Sequence, residues 1–165
     1  MSAAIALYAC TTVLHPDTLD EQLTVLRTYA ATHGWPVDDA PLYLDDALIE
    51  VDLNRPGLNR LLDAVRQGAV TTIVVTNTST FTQFLGDLTK LEDELAACGA
   101  TVIYAGMSAA ALQVVRDAQT RWRDPEKAPL NHLKEVIAKY DQRRYQERVA
   151  AGLLDEEAFA LEEAG

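Results

Sequence analysis

Thr76, Thr78, Ser79 and Thr80 put four hydroxyls into five residues, with Asn77 among them, directly after a β-branched run. If that run is a parallel strand, its C-terminal end is where open α/β sheets hold ligands, and the hydroxyls would line a crevice for a small molecule. Other chemistry is poorly supplied. His15, His33 and His132 are scattered without ligand spacing, and His33 simply ends a helical stretch before Gly34. Cys10 and Cys98 lie far apart with no C-x-x-C pair, which argues against a zinc cage or a disulfide scaffold. Both thiols are expected to be buried, and neither a metal nor a cofactor is expected.

The elements that would position the hydroxyl run follow from periodicity. Ala4 to Ala9 is a short apolar run suited to a strand buried on both faces, and Thr11 to Thr18 carries turn and capping residues. Leu19, Leu23, Leu26 and Ala30 then fall at helical spacing up to Gly34 and Pro36. Leu42 to Leu44 reads as a second strand, Asp45 to Asn54 as an acidic exposed loop. Arg55-Pro56-Gly57-Leu58 opens a helix with Asn54 as its candidate N-cap, Leu58, Leu61, Leu62 and Val65 facing inward, and Gly68 as terminator. Thr71 to Thr76 is a central strand, Phe84 to Ala96 a helix, and Thr101 to Tyr104 a fourth strand. After that the pattern is helical: Ala111 to Trp122, a break at Asp124 to Pro129, and a long helix from Leu130 to Ala151. Strands alternating with helices imply parallel βαβ units.

At 165 residues the chain suits one domain with a helical tail. No apolar run reaches the roughly 18 residues of a membrane span, and the N-terminus lacks the basic start of a signal peptide, so a cytoplasmic location is expected. The net charge of -11 repels a nucleic-acid backbone on average, so any DNA contact would need a local basic face.

Four stretches in the right order resemble the catalytic domain of serine recombinases, the resolvase/invertase family. Tyr8-Ala9-Cys10-Thr11-Thr12 is similar to that family's Y-x-R-V-S, with Gln22 following at the appropriate distance. Tyr43 to Leu58 resembles YxDxxxSGxxxxRPGL without a gap. Ile73 to Gln83 resembles the strand and turn ending D-R-L-x-R, and Glu147 to Leu153 resembles the helix end E-R-x-x-A-G-L. The resemblance implies an α/β, three-layer resolvase-like fold: a mainly parallel four- to five-stranded sheet flanked by helices, plus a long C-terminal helix. It divides the chain into a core (1–106), C-terminal helices (107–153) and an acidic tail (154–165).

In that family a serine attacks a DNA phosphodiester, and arginines hold the crowded, negatively charged phosphorus centre because their planar forks bind phosphate bidentately. Here the nucleophile position carries Thr12, the arginine two residues earlier is Cys10, and the D-R-L-x-R positions carry Ser79, Thr80 and Gln83. The serine and glycine of the acidic loop are Ile49 and Glu50. Tyr8, Gln22, Asp45 and Arg55 are retained, and Arg55 alone remains of the active-site arginines. Losing one preorganised donor costs on the order of 10² to 10³ in rate, so three absent arginines imply a pseudoenzyme with no intact catalytic residue set. Each retained residue also has a scaffold reading, Arg55 as a first-turn residue paired with Asp45 or Asp52.

The long helix carries Lys134, Lys139, Arg143, Arg144 and Arg148 against Glu135, Asp141 and Glu147, a modest positive stripe. The family's arginine that approaches DNA from this helix aligns with Gln142. The family's basic linker and helix-turn-helix would follow, and here Asp155 to Glu163 holds five acids and no base. DNA binding is therefore expected to be weak or absent. Leu130, Leu133, Ile137 and Tyr140 form an apolar stripe that needs covering, by the domain's own surface or by a second copy, and a homodimer is expected. The sequence thus points to an inactive, self-associating interaction or regulatory module. The alternatives are a recombinase forming a phospho-threonyl DNA link and a DNA-associated protein without chemistry.

Overall fold

All eight residues of the first strand, β1 (Ile5–Thr12), are buried, so β1 lies inside the sheet with covering layers on both faces. The computed structural model describes residues 4–12, 18–36, 38–48 and 53–152. After β1 come α1 (Leu19–Thr32), β2 (Leu42–Leu48), α2 (Pro56–Arg66) and β3 (Thr72–Val75). A 3-10 turn (Thr78–Thr80), α3 (Leu85–Ala97), β4 (Thr101–Tyr104), α4 (Ala109–Trp122) and α5 (Ala128–Ala150) complete the order. The sheet has four strands in the order β2-β1-β3-β4, every pair parallel.

Alternation along β1 divides its side chains between the two faces. Ala6, Tyr8 and Cys10 pack with Ile73, Val75 and the inner faces of α2 and α3, whereas Ile5, Leu7 and Ala9 pack with Val74 and with Leu23 and Leu26 of α1. Fully buried leucines such as Leu26, Leu58 and Leu61 contribute roughly 1.5–3 kcal/mol each. The chain steps from β1 outward to β2 and then back across to β3. The carboxyl ends of β1 and β3 therefore form the switch point of the sheet, where α/β proteins open a crevice.

Several boundaries differ from the sequence expectation. β2 does not stop at Leu44: it pairs with β1 through Cys10 opposite Asp45, and the register shifts before Thr12 meets Leu48. Asp45 and Asp46 are thus strand residues. Arg55, not Asn54, is the N-cap of α2. Pro129, expected in a break, sits in the first turn of α5, where its missing N–H is no loss. Cys10 is buried, but Cys98 is exposed because it caps the C-terminus of α3 beyond the last inward leucine, Leu95. Among the described residues no helix is long and apolar enough to cross a membrane.

Candidate functional site

The site is built where α2 begins. Pro56 has no amide hydrogen and Arg55 makes no side-chain cap bond, so the first amides of α2 need an acceptor from elsewhere. Asp45 provides it from the neighbouring strand: Gly57 N donates to Oδ1 at 2.7 Å and Leu58 N to Oδ2 at 2.8 Å. A carboxylate at a helix N-terminus also meets the positive end of the helix dipole. This approach requires Gly57, since a Cβ there would collide with the Leu44 carbonyl and with Asp45 Oδ2.

Arg55 turns from the same helix start into the protein. Its Nη1 donates to the carbonyl of Thr80 at 3.1 Å and to the Tyr8 hydroxyl at 3.4 Å, with Cys10 Sγ at 3.6 Å, and Nη2 donates to the Phe81 carbonyl. The Tyr8 hydroxyl in turn donates to Asp45 Oδ2 at 3.0 Å, linking Arg55 to Asp45. Asp52, the other expected partner, lies outside the described residues. The Tyr8 ring stacks on Phe81 at 5.7 Å and 11°. Burial pushes the Tyr8 phenol well above its usual range; Cys10 adds to the effect and Arg55 opposes it. Arg55 itself is only 2% exposed. A guanidinium so placed fastens the 3-10 turn to β1 and presents little of its fork to solvent.

Gln22 serves β1 in a different way. Beyond Leu7 the β3 register ends, and at Cys10 the Gln22 carboxamide closes on the backbone like a short piece of strand. Cys10 N donates to Oε1 at 3.1 Å, and Nε2 donates to Cys10 O at 2.7 Å. Thr12 ends β1 and is buried, while Thr11 on the other face donates its hydroxyl to Asp46. Asn77 caps the 3-10 turn, accepting from Thr80 N at 3.2 Å and from the Ser79 hydroxyl at 2.5 Å. Tyr8, Cys10, Asp45, Arg55 and Thr80 are thus joined in one buried cluster, and Gln22 is joined to it through the Cys10 backbone. Ser79 and Gln83 lie on the surface beside it. Ile49 and Glu50 fall outside the described residues.

The family model described as "Resolvase, N terminal domain" matches residues 6–158. The chain belongs to the resolvase family, the serine recombinases. Solved structures agree on the fold. The N-terminal catalytic domain of TP901-1 integrase is 22% identical with a TM-score of 0.59, over 73% of this chain and 96% of that one. The C-terminal catalytic domain of ISC1926 TnpA, an IS607-like serine recombinase, is 20% identical with a TM-score of 0.53, over 81% and 98%. A resolvase family site-specific recombinase from Streptococcus pneumoniae is 17% identical with a TM-score of 0.53, over 83% and 99%. No curated protein matches the chain.

In this resolvase domain α5 docks with polar residues, which its pattern of apolar residues did not announce. Glu135 Oε2 accepts from Gly86 N at 2.9 Å and so caps α3, and Lys139 Nζ lies 2.6 Å from Asp87 Oδ2 and 5.2 Å from the Phe84 ring centroid. Gln142 Nε2 donates to Gln83 Oε1 at 3.3 Å, and Gln146, next on the same face, is fully buried. The signal for this inward face was the spacing of Glu135, Lys139, Gln142 and Gln146. The signal for the α2 cap was Pro56-Gly57, which demands a close acceptor. Nothing in the sequence pattern announced the Phe81 carbonyl as an acceptor for Arg55.

Proposed function

We propose that this resolvase domain no longer exchanges DNA strands and acts by self-association through the outer face of α5, as an interaction or regulatory module. The observation that carries it is the orientation of α5. Glu135, Lys139, Gln142 and Gln146 dock on the domain, while Leu130, Leu133, Ile137 and Tyr140, together with Val136, stand exposed. A helix that turns its apolar stripe to water has its covering surface on another body, and the i, i+3, i+7, i+10 spacing fits a second copy of the same stripe about a two-fold axis. The burial of Arg55 supports the loss of chemistry, because a guanidinium committed to backbone carbonyls supplies little to a phosphorus centre. The competing reading keeps Thr12 as a nucleophile, and the place of its hydroxyl at the end of β1 is what favours it. Sedimentation velocity at tens of micromolar tests the association: dimer is expected, and monomer alone would overturn the proposal.

A further inference from the structure

We propose that the groove between α3 and α4, beside the 3-10 turn, is a binding site for an uncharged, largely apolar small molecule. It holds about 370 Å³, within the range of roughly 300–1,000 Å³ typical of ligand sites. Ser79 and Gln83 stand on its polar side, with Phe84, Leu88, Val114 and Ala118 among its apolar lining. Every lining residue is uncharged, in a chain that is 24% charged. That decides the class of ligand. An anion entering would lose water without meeting a cation and would face a chain of net charge -11, and a cation would meet no carboxylate in the lining. A neutral molecule loses little on entering and gains the apolar contact. Leu88 is buried, whereas Val114 is 66% exposed, so apolar surface runs from the interior out to solvent. Ser79 already donates to Asn77 and Gln83 accepts from Gln142, so a ligand would meet the lone pairs left on the Ser79 hydroxyl, and the apolar lining would supply the rest of the contact.

The proposal rests on the reading that Ser79 and Gln83 no longer serve strand exchange, and the test separates the two. The intact chain is titrated with N-phenyl-1-naphthylamine, a neutral apolar fluorophore. One saturable site per chain is expected. Ala118→Trp, which fills the groove, should weaken binding about tenfold, and Gln83→Glu, a surface change that adds charge without disturbing the core, should weaken it severalfold. Ile137→Asp, on the outer face of α5, should leave binding within about twofold. Circular dichroism confirms that each variant is folded. Absent or unsaturable binding would overturn the groove alone. So would loss of binding in Ile137→Asp with none in Gln83→Glu, since that places the probe on the α5 face. Displacement of the probe by a short DNA duplex would overturn the neutral ligand class, whereas a protein–DNA adduct in covalent trapping would overturn the inactive reading beneath it.

Discussion

The Arg55 cluster and α5 place their side chains in opposite senses. Around Arg55 a charge is held 2% exposed, with Tyr8, Asp45 and two backbone carbonyls about it. On α5 Glu135, Lys139, Gln142 and Gln146 face the protein, but Tyr140 stands 62% exposed at the other side. Burying a charge is tolerable only when its hydrogen bonds are met inside, which makes the first region a structural joint. Exposing an apolar stripe is costly unless something covers it, which is why we propose the second as a contact surface. The difference is what the proposed function rests on: the retained arginine is turned inward, and the apolar stripe of α5 is turned out.

The sharpest way to break the comparison is to remove the buried charge. Arg55→Met leaves the Thr80 and Phe81 carbonyls without their donor and should cost roughly 3–5 kcal/mol in urea unfolding, because a buried polar group is left unpaired. If Arg55 were instead a phosphate ligand held ready, that loss would be small. Asp45→Ala removes two cap bonds on α2 and the acceptor for Tyr8, and about 2–3 kcal/mol should be lost in the same measurement.

A smaller, pH-dependent effect belongs to the joint between α3, β4 and α4. Glu92 accepts from Tyr104 Oη at 2.5 Å, Arg116 Nη1 at 2.6 Å and Gln119 Nε2 at 2.5 Å. Burial alone would raise its carboxyl, but these bonds outweigh burial and hold it below the usual carboxylate range. A lowered value contributes stability that is present above the unfolded-state value and is lost as pH falls through the folded one. Glu92→Gln should therefore flatten the acid limb of a stability profile. At the alkaline end the signs reverse: Tyr8 and Tyr104 are both raised from 10.0, chiefly by burial, so stability should fall as pH rises past that value. Tyr104→Phe should weaken that fall. The smallest effect on folding is expected at the surface. Tyr140→Asp should change unfolding by less than about 0.5 kcal/mol when both proteins are compared at a dilution where the wild type is monomeric, yet at tens of micromolar it should convert dimer to monomer in sedimentation. A large loss of stability in the monomer would mean that α5 packs on its own domain through this face.

Much of the architecture was legible because apolar periodicity reports burial directly. Leu58, Leu61, Leu62 and Val65 gave α2, and the β-branched run before Asn77 gave β3. The order of strands and helices gave the parallel sheet. On α5 the same rule fails: Leu130, Leu133, Ile137 and Tyr140 have the spacing of a buried face, yet they are exposed. What was not legible depends on partners distant in sequence. Asp45 looked like a loop acid because nothing local shows that a helix start comes to lie against it. The direction of Arg55 depends on carbonyls of residues 80 and 81, and every residue carries a carbonyl. Cys98 looked like any buried thiol until the end of α3 was fixed. That Cys10, Thr12, Ser79, Thr80 and Gln83 stand where the resemblance implies other residue types is an expectation from the sequence; the inward direction of Arg55 could not be read there.

The central claim is that strand exchange has been lost, and covalent trapping on supercoiled DNA carrying recombination sites tests it most directly. The intact chain is incubated with the DNA, quenched in denaturant and assayed for protein linked to DNA ends. No adduct is expected from the wild-type chain. An adduct that disappears in Thr12→Ala would contradict the account, because it would show Thr12 attacking phosphorus with the arginines absent.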